Sequence, residues 1–174
     1  MRVVMLTAAD VRRYRDLMLE AYAQAPDAFT STPQERAAQP ESWWIGRIAN
    51  PAGWTAAVGA FDGDELVGAV ALEFSAKPKT RHKALLIGMY VAPAARGQGI
   101  GRRLMDAALE VTRGRGDISV VTLTVTEGNE AALHLYRAAG FAAFGVEPMA
   151  ILTPGGYKAK VHMWLSVAQA RVDA

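Results

Sequence analysis

The chain has 174 residues, of which 51% are hydrophobic and 21% charged, with a formal net charge of +2. This length fits one globular core, and the composition excludes disordered and fibrous classes, while no apolar run approaches the length needed to span a bilayer. The basic residues are not concentrated with the aromatic or motif support that is typical of nucleic-acid binding proteins. We therefore expect a single domain over residues 1–174, with no nucleic acid and no membrane as partner.

The residue types also limit the chemistry. The absence of cysteine excludes disulfides, thiolate metal ligands and a cysteine-linked intermediate. The three histidines, His82, His134 and His162, lack the spacing of zinc ligands, so no metal is predicted. Because the N-terminal residues show no long apolar segment followed by a cleavage site, the default expectation is a cytoplasmic location.

The N-terminal third predicts a strand followed by helices. Residues 2–6 are β-rich, and Thr7 to Asp10 resembles a capping box that opens an amphipathic helix ending before Pro26. Thr32-Pro33-Gln34-Glu35 is a second helix start, and Pro40 separates it from a further helix that contains Trp43 and Trp44. Large aromatic side chains usually pack in the core, although these two could also line a substrate pocket.

The middle of the chain predicts a β-hairpin and a third strand. The alternating segments 55–61 and 65–74 flank the turn Asp62-Gly63-Asp64. A basic segment, 76–83, is expected to be solvated. It leads into an apolar strand, 85–91, which Pro93 ends.

A glycine-rich turn and an amphipathic helix follow that strand. A helix N-terminus normally attracts acidic residues, yet Arg96, Arg102 and Arg103 gather here, with no acid before Asp106. Three glycines alternate with other residues through the turn, at positions 97, 99 and 101. Glycines let the backbone approach a ligand closely and present its N–H groups, so the turn predicts an anion site at the helix start.

The remaining elements complete a mixed pattern. A strand over residues 118–125 precedes a helix that Asn129 caps and Gly140 closes, and two strands follow over 143–151 and 157–167. Strands and helices do not alternate strictly, so the pattern indicates a mixed α/β fold rather than a doubly wound one.

Two motifs make a specific resemblance. Arg96-Gly97-Gln98-Gly99-Ile100-Gly101 resembles the R/Q-x-x-G-x-G/A signature of the GNAT superfamily of acyl-CoA N-acyltransferases. Asn129 to Tyr136, followed by Gly140-Phe141, is similar to the N-x-x-A-x-x-L-Y-x-x-x-G-F segment of the same family. The likeness covers nearly the whole chain and is strongest over residues 85–141.

The resemblance implies a fold and a reaction. The expected fold is α/β (α+β), with a mixed, mostly antiparallel central sheet of about seven strands, a splayed central parallel pair, and helices on both faces. The expected activity is an acetyl-CoA-dependent N-acetyltransferase, in which a primary amine attacks the thioester directly in a ternary complex.

The resemblance also implies site residues. The turn would bind the pyrophosphate of acetyl-CoA, the strand ending at Val91 would pair with the pantetheine arm, and the N–H of Tyr90 or Val91 would stabilise the oxyanion. Tyr136 would protonate the departing thiolate, since a phenol of pKa about 10 can serve a thiol of pKa about 8.5. The expected cofactor-binding residues are Met89, Tyr90, Val91, Arg96, Gly97, Gln98, Gly99, Ile100, Gly101, Arg102, Asn129 and Tyr136.

The acceptor side is less defined. Many relatives carry a glutamate on the central strand, but residues 84–88 contain no acid here. Glu73 is the first candidate for the base, followed by Glu127 and His162.

Several alternatives stay open. The acceptor is a small metabolite, an antibiotic-like amine or a protein amine, the acyl group is acetyl or longer, and the protein is a monomer or a homodimer. A non-catalytic acyl-CoA sensor or regulatory subunit is the alternative function. Dinucleotide binding is less favoured, because the glycine spacing in the turn is not G-x-G-x-x-G.

Overall fold

The computed structural model describes residues 1–168. Seven strands and five α-helices are found in this part of the chain. In order they are β1 (Arg2–Met5), α1 (Val11–Gln24), α2 (Pro33–Ala37), α3 (Glu41–Ile48), β2 (Thr55–Asp62), β3 (Glu65–Phe74), β4 (Lys83–Val91), α4 (Ile100–Arg115), β5 (Val120–Thr126), α5 (Glu130–Ala138), β6 (Ala142–Thr153) and β7 (Gly156–Ser166). The last six residues of the predicted domain lie outside the described part.

The strands form one sheet in the order β1-β2-β3-β4-β5-β7-β6. β4 and β5 are its parallel pair, and the other strand pairs of the described chain are antiparallel. The parallel pairing joins only residues 83–85 to residues 120–122, after which the two strands separate. The expected mixed sheet with a splayed central pair is therefore confirmed.

A bulge in β4 accompanies this separation. Ile87 stands opposite Ala71 on β3, while Tyr90 stands opposite Ala69, so Gly88 and Met89 together face one residue of the partner strand. Gly88 has a φ of 61°, a left-handed conformation that glycine adopts without strain. The extra residue reverses the alternation of side chains along β4, and it turns Tyr90 towards α1.

Helices cover both faces of the sheet, as predicted. On one face, Ile100, Leu104 and Met105 of α4 are buried against the sheet, together with residues of α5. On the other face, Tyr14 and Met18 of α1 are buried in a second cluster with residues of α3. No helix within residues 1–168 combines the length and apolar character needed to cross a bilayer.

The predicted helix starts are found, with shifted boundaries. Thr7 donates its N–H to the Asp10 carboxylate at 2.9 Å, but a 3-10 turn at Ala8–Asp10 precedes α1. At α2, Glu35 accepts from the Thr32 N–H at 2.7 Å and the Thr32 hydroxyl accepts from the Glu35 N–H at 3.2 Å. These hydrogen bonds lower the pKa of the Glu35 carboxyl below its ordinary value.

Candidate active site

A cavity of about 270 Å³ lies where β4 and β5 separate. Residues 85–89 of β4 and 124–126 of β5 form two of its walls. α5 contributes Ala132, Leu135 and Tyr136, and the segments between α1 and α3 contribute the opposite wall. The sheet opens here because the bulge and the short parallel pairing leave no ladder between the two strands.

The glycine turn lies beside this opening, at the start of α4. Gly97 and Gly99 have φ values of 77° and 73°, and a Cβ added to either would meet nothing within 4 Å. The first turn of α4 contains no acidic residue. Open space, glycines in the left-handed conformation and a helix N-terminus together fit a phosphate-bearing ligand such as acetyl-CoA.

The arginines of this region differ in their protein contacts. Arg102 donates from Nε to both carboxylate oxygens of Asp106, at 2.9 and 3.0 Å, and from Nη1 to the Ala138 carbonyl at 3.2 Å. Arg96 donates from Nε to the Val91 carbonyl at 3.0 Å. Arg102 is thus bound by protein groups on two helices, and its contact with acetyl-CoA stays a prediction.

The backbone of β4 discriminates between the two predicted oxyanion donors. Just after β4, Ala92 donates its N–H to the carbonyl of Val67 in β3, at 2.9 Å. Two residues earlier, Tyr90 stands opposite Ala69 of β3. Hydrogen bonding alternates along an antiparallel pair, so the Tyr90 N–H is directed to β3 and the Val91 N–H is directed away from it. Val91 is therefore the donor that the register leaves available to a ligand.

The Tyr90 side chain is a core residue. It is 5% exposed, and its hydroxyl donates to Glu20 Oε1 at 3.0 Å. Burial, together with this hydrogen bond, raises the pKa of Tyr90 to about 12. Its side chain supports α1 and its N–H is directed to β3, so the register leaves neither group of Tyr90 facing a ligand.

Tyr136 lies on the cavity wall formed by α5. It is 6% exposed, and its ring packs edge-on against Phe141 at 6.1 Å between centroids. Burial raises the pKa of Tyr136 to about 12, so the phenol keeps its proton throughout the neutral range. Asn129 also lines the cavity, and its Oδ1 accepts from the Ala132 N–H at 3.3 Å, so it caps α5.

The three candidate bases lie apart from one another. Glu73 accepts from Arg47 Nη1 at 3.1 Å and has a side chain that is 43% exposed. His162 contacts Glu147 Oε2 at 2.9 Å across the β6–β7 pair, and Glu127 lines a neighbouring depression beside Asn129. None of the three is among the described residues that line the cavity at the strand opening.

Two cavity residues were missed by the sequence analysis. Arg36 of α2 and Arg47 of α3 both line the wall opposite α5. They belong to different helices and form no motif, so no sequence signal identified them. Trp44 is fully buried, as expected of a core aromatic, whereas Trp43 packs against the Arg36 guanidinium, 4.5 Å from the ring centroid.

Within residues 1–168, no group of three or more histidine, aspartate or glutamate side chains could hold a metal ion.

The chain is similar to known acetyltransferases. It is 41% identical over 90 residues to N-alpha-acetyltransferase RimI of Mycobacterium tuberculosis, covering 51% of this chain and 53% of that protein. It is 43% identical over 91 residues to streptothricin acetyltransferase of Streptomyces lavendulae, covering 52% and 45%. The matched region therefore spans about half the length of these curated relatives.

The fold has solved counterparts. yncA of Salmonella typhimurium, a structure with its cofactor acetyl-CoA, superposes with a TM-score of 0.81 at 17% identity, covering 100% of this chain and 98% of that one. At this identity the likeness concerns the fold alone. The model of the acetyltransferase (GNAT) family matches residues 14–141, from within α1 to the residue three positions after α5. This match covers most of the chain, so the protein belongs to the acetyltransferase (GNAT) family.

Proposed function

We propose that this protein transfers an acetyl group from acetyl-CoA to a primary amine, by direct attack of the amine in a ternary complex. One observation carries the proposal: the parallel pair opens after residue 85 into a cavity lined by Tyr136, and the glycine turn lies beside it, with Gly101 close to the lining residue Leu135. The family membership and the relatives that are named as N-acetyltransferases support the same reaction.

Acetyl-CoA would be held by the backbone on the α4 side of the sheet. The N–H groups of residues 97–101 would bind its pyrophosphate, and Met89 in the bulge and Val91 beyond it would pair with its pantetheine arm. Asn129 would contact the arm with the amide group that its capping bond does not use. When bound, acetyl-CoA supplies the thioester whose carbonyl carbon the amine attacks.

Two groups of the protein would act on the reacting atoms. The Val91 N–H, directed away from β3, would donate a hydrogen bond to the carbonyl oxygen as negative charge develops. The Tyr136 hydroxyl, protonated at neutral pH, would give its proton to the sulfur as the carbon–sulfur bond breaks.

The amine must lose a proton before it attacks. An alkylammonium has a pKa of about 10.4 and carries no lone pair at neutral pH. Glu73 is the proposed acceptor of that proton, acting through water because its carboxylate lies behind Arg47 rather than in the cavity wall.

Calorimetric titration with acetyl-CoA and with NADH tests the ligand. Binding of acetyl-CoA and no heat from NADH are expected, and the reverse result would remove the assignment. Release of free thiol from acetyl-CoA in the presence of a panel of amines then tests catalysis. A protein that binds acetyl-CoA and acetylates none of the amines would be a sensor rather than an enzyme.

A further inference from the structure

Two guanidinium groups face the cavity from the side opposite α5. Arg36 and Arg47 both line the wall, and the Nε atom of each is buried without a hydrogen-bond partner among the described residues. Because protein atoms cover both Nε atoms, a ligand in the cavity would be bound by the Nη atoms of the two guanidinium groups, and among the described residues Glu73 already accepts from Arg47 Nη1.

The two groups are fixed in place. Both pack against the Trp43 ring, whose centroid is 4.5 Å from Cζ of Arg36 and 5.4 Å from Cζ of Arg47. Arg47 Nη1 also donates to Glu73 at 3.1 Å, and the Arg47 side chain is only 17% exposed. Contacts with the indole reduce the entropy that the arginines lose when they bind a ligand.

The charge of the cavity favours an anion. Lys160 is its third cationic side chain, and none of the described residues in its lining is acidic. Glu73, which does not line the cavity, forms an ion pair with Arg47 and so neutralises one of the three positive charges. An amine with no anionic group would be repelled by this wall, because like charges in a partly buried site are only weakly screened.

The pyrophosphate of acetyl-CoA is not the anion that Arg36 and Arg47 would bind. The turn over residues 97–101 leads into α4, which packs on one face of the sheet. Trp43, against which both guanidiniums pack, belongs to the hydrophobic cluster on the opposite face. The two cationic regions are therefore separated by the sheet and serve different groups.

We propose that Arg36 and Arg47 bind a carboxylate of the acceptor, so that the acceptor is a small amine that carries an anionic group, as an amino acid does. This rests on the proposed acetyl transfer and specifies its substrate class. A guanidinium fork matches the two oxygens of a carboxylate, and two forks at one wall can orient the amine on the same molecule towards the β4–β5 opening. Arg36 and Arg47 are specificity residues in this scheme and take no part in the proton transfers.

The wild-type protein provides the first test. Thiol release from acetyl-CoA is measured with alanine, methionine and phenylalanine, each beside its decarboxylated amine and its amino-acid amide. The amino acid should exceed both analogues in kcat/KM by about 10- to 100-fold, the range for hydrogen bonds to a charged group. The amide controls for basicity, because its amine is less basic than that of the amino acid and would react more readily if charge recognition played no part.

Variants test whether Arg36 causes the preference for amino acids. Arg36→Gln should lower the ratio of kcat/KM for the amino acid to kcat/KM for the decarboxylated amine about tenfold or more, chiefly through KM. Arg36→Lys should restore part of this ratio. The matched control is Arg12→Gln, which changes an arginine whose side chain is 88% exposed and should leave the ratio unchanged. Because the ratio is taken within one protein preparation, a general loss of stability does not alter it.

A binding measurement gives a readout apart from turnover. N-acetylmethionine should quench tryptophan fluorescence in a saturable way through Trp43, and N-acetylmethioninamide should not. Arg36→Gln should abolish the response.

The outcomes separate the two proposals. Turnover of peptide N-termini, of an aminoglycoside or of the decarboxylated amines at rates equal to those of the amino acids would overturn the carboxylate site and leave acetyl transfer intact. Acetyl-CoA binding without turnover of any amine would overturn acetyl transfer alone if N-acetylmethionine still bound through Arg36, and both proposals if it did not.

Discussion

The two halves of the site are built in different ways. The proposed cofactor half consists of β4 beyond Gly88, the turn over residues 96–101 and the start of α5. It presents backbone N–H groups at glycines and at a helix start. The proposed acceptor half consists of Arg36, Arg47, Trp43 and Glu73. It uses side chains from two helices and a strand, positioned by stacking and by one ion pair.

This contrast separates a general function from a specific one. A ligand that every member of a family uses can be bound by main-chain groups, which depend on backbone conformation and tolerate changes at neighbouring side chains. A ligand that differs between members has to be recognised by side chains, which can be exchanged without altering the sheet. Changes in the cofactor half should therefore affect acetyl-CoA with every acceptor, and changes in the acceptor half should affect some acceptors more than others.

The largest effect is expected for Tyr136→Phe. Removal of the hydroxyl should lower kcat by about 10³-fold, within the range for a general acid, for every acceptor and with little change in acetyl-CoA affinity. Thiol release and calorimetry measure the two quantities. Tyr157→Phe, at a tyrosine that is 61% exposed, is the control. An unchanged kcat would remove Tyr136 from the mechanism.

Glu73→Gln should lower kcat by about 10²-fold, the lower end of the range for a general base, because Glu73 is placed to act through water. Glu65→Gln, on the same strand and exposed, is the control. A rise in KM with kcat unchanged would show that Glu73 only holds Arg47, and would leave the acceptor half without a base.

The pH profile should rise without a falling limb in the accessible range. Deprotonation of an acceptor amine with a pKa of about 10.4 should increase kcat/KM about tenfold per pH unit below that value. The acid form of Tyr136 is present below its pKa, which burial raises to about 12, so loss of its proton should not reduce the rate below about pH 10. A falling limb near pH 8 that is absent from Tyr136→Phe would contradict this.

Gly99→Ala should raise the Kd of acetyl-CoA about tenfold, since an alanine at a φ of 73° is strained by about 1–2 kcal/mol and its Cβ enters the open space at the turn. Gly63→Ala is a matched control, because it places the same strain at a φ of 56° in the β2–β3 turn, again with nothing within 4 Å of the added Cβ. Both variants should lose a similar amount of stability. Equal acetyl-CoA affinity in the two would show that the turn at Gly99 does not contact the ligand.

The smallest effect is expected for Arg102→Gln. The guanidinium is bound by Asp106 and by the Ala138 carbonyl, so its removal should change the Kd of acetyl-CoA by less than about threefold, as for an exposed charge at some distance from its ligand. Titration at low and at high salt measures it. A tenfold loss that disappears in high salt would show that Arg102 binds the cofactor directly, as the family resemblance implies.

Much of the cofactor half was predictable because its signals are local. The glycine turn, the missing acid at the helix start and the Asn129 cap each lie within a few consecutive residues, and their conformations follow from sterics and capping. The same reasoning could not choose between Tyr90 and Val91 as donors. That choice depends on the register between β3 and β4, which places Ala92 opposite Val67.

By itself, the sequence determined the element order, the mixed α/β fold and, through two motifs, the family, and it predicted an anion site at the glycine turn, since periodicity and motifs act over short distances along the chain. Only the tertiary structure placed the bulge at Gly88 and Met89 and showed that Arg102 is hydrogen-bonded to Asp106 and Ala138. It also brought Arg36 and Arg47 together against the Trp43 ring. These features join residues of separate elements, and their geometry arises from packing, which no local pattern encodes.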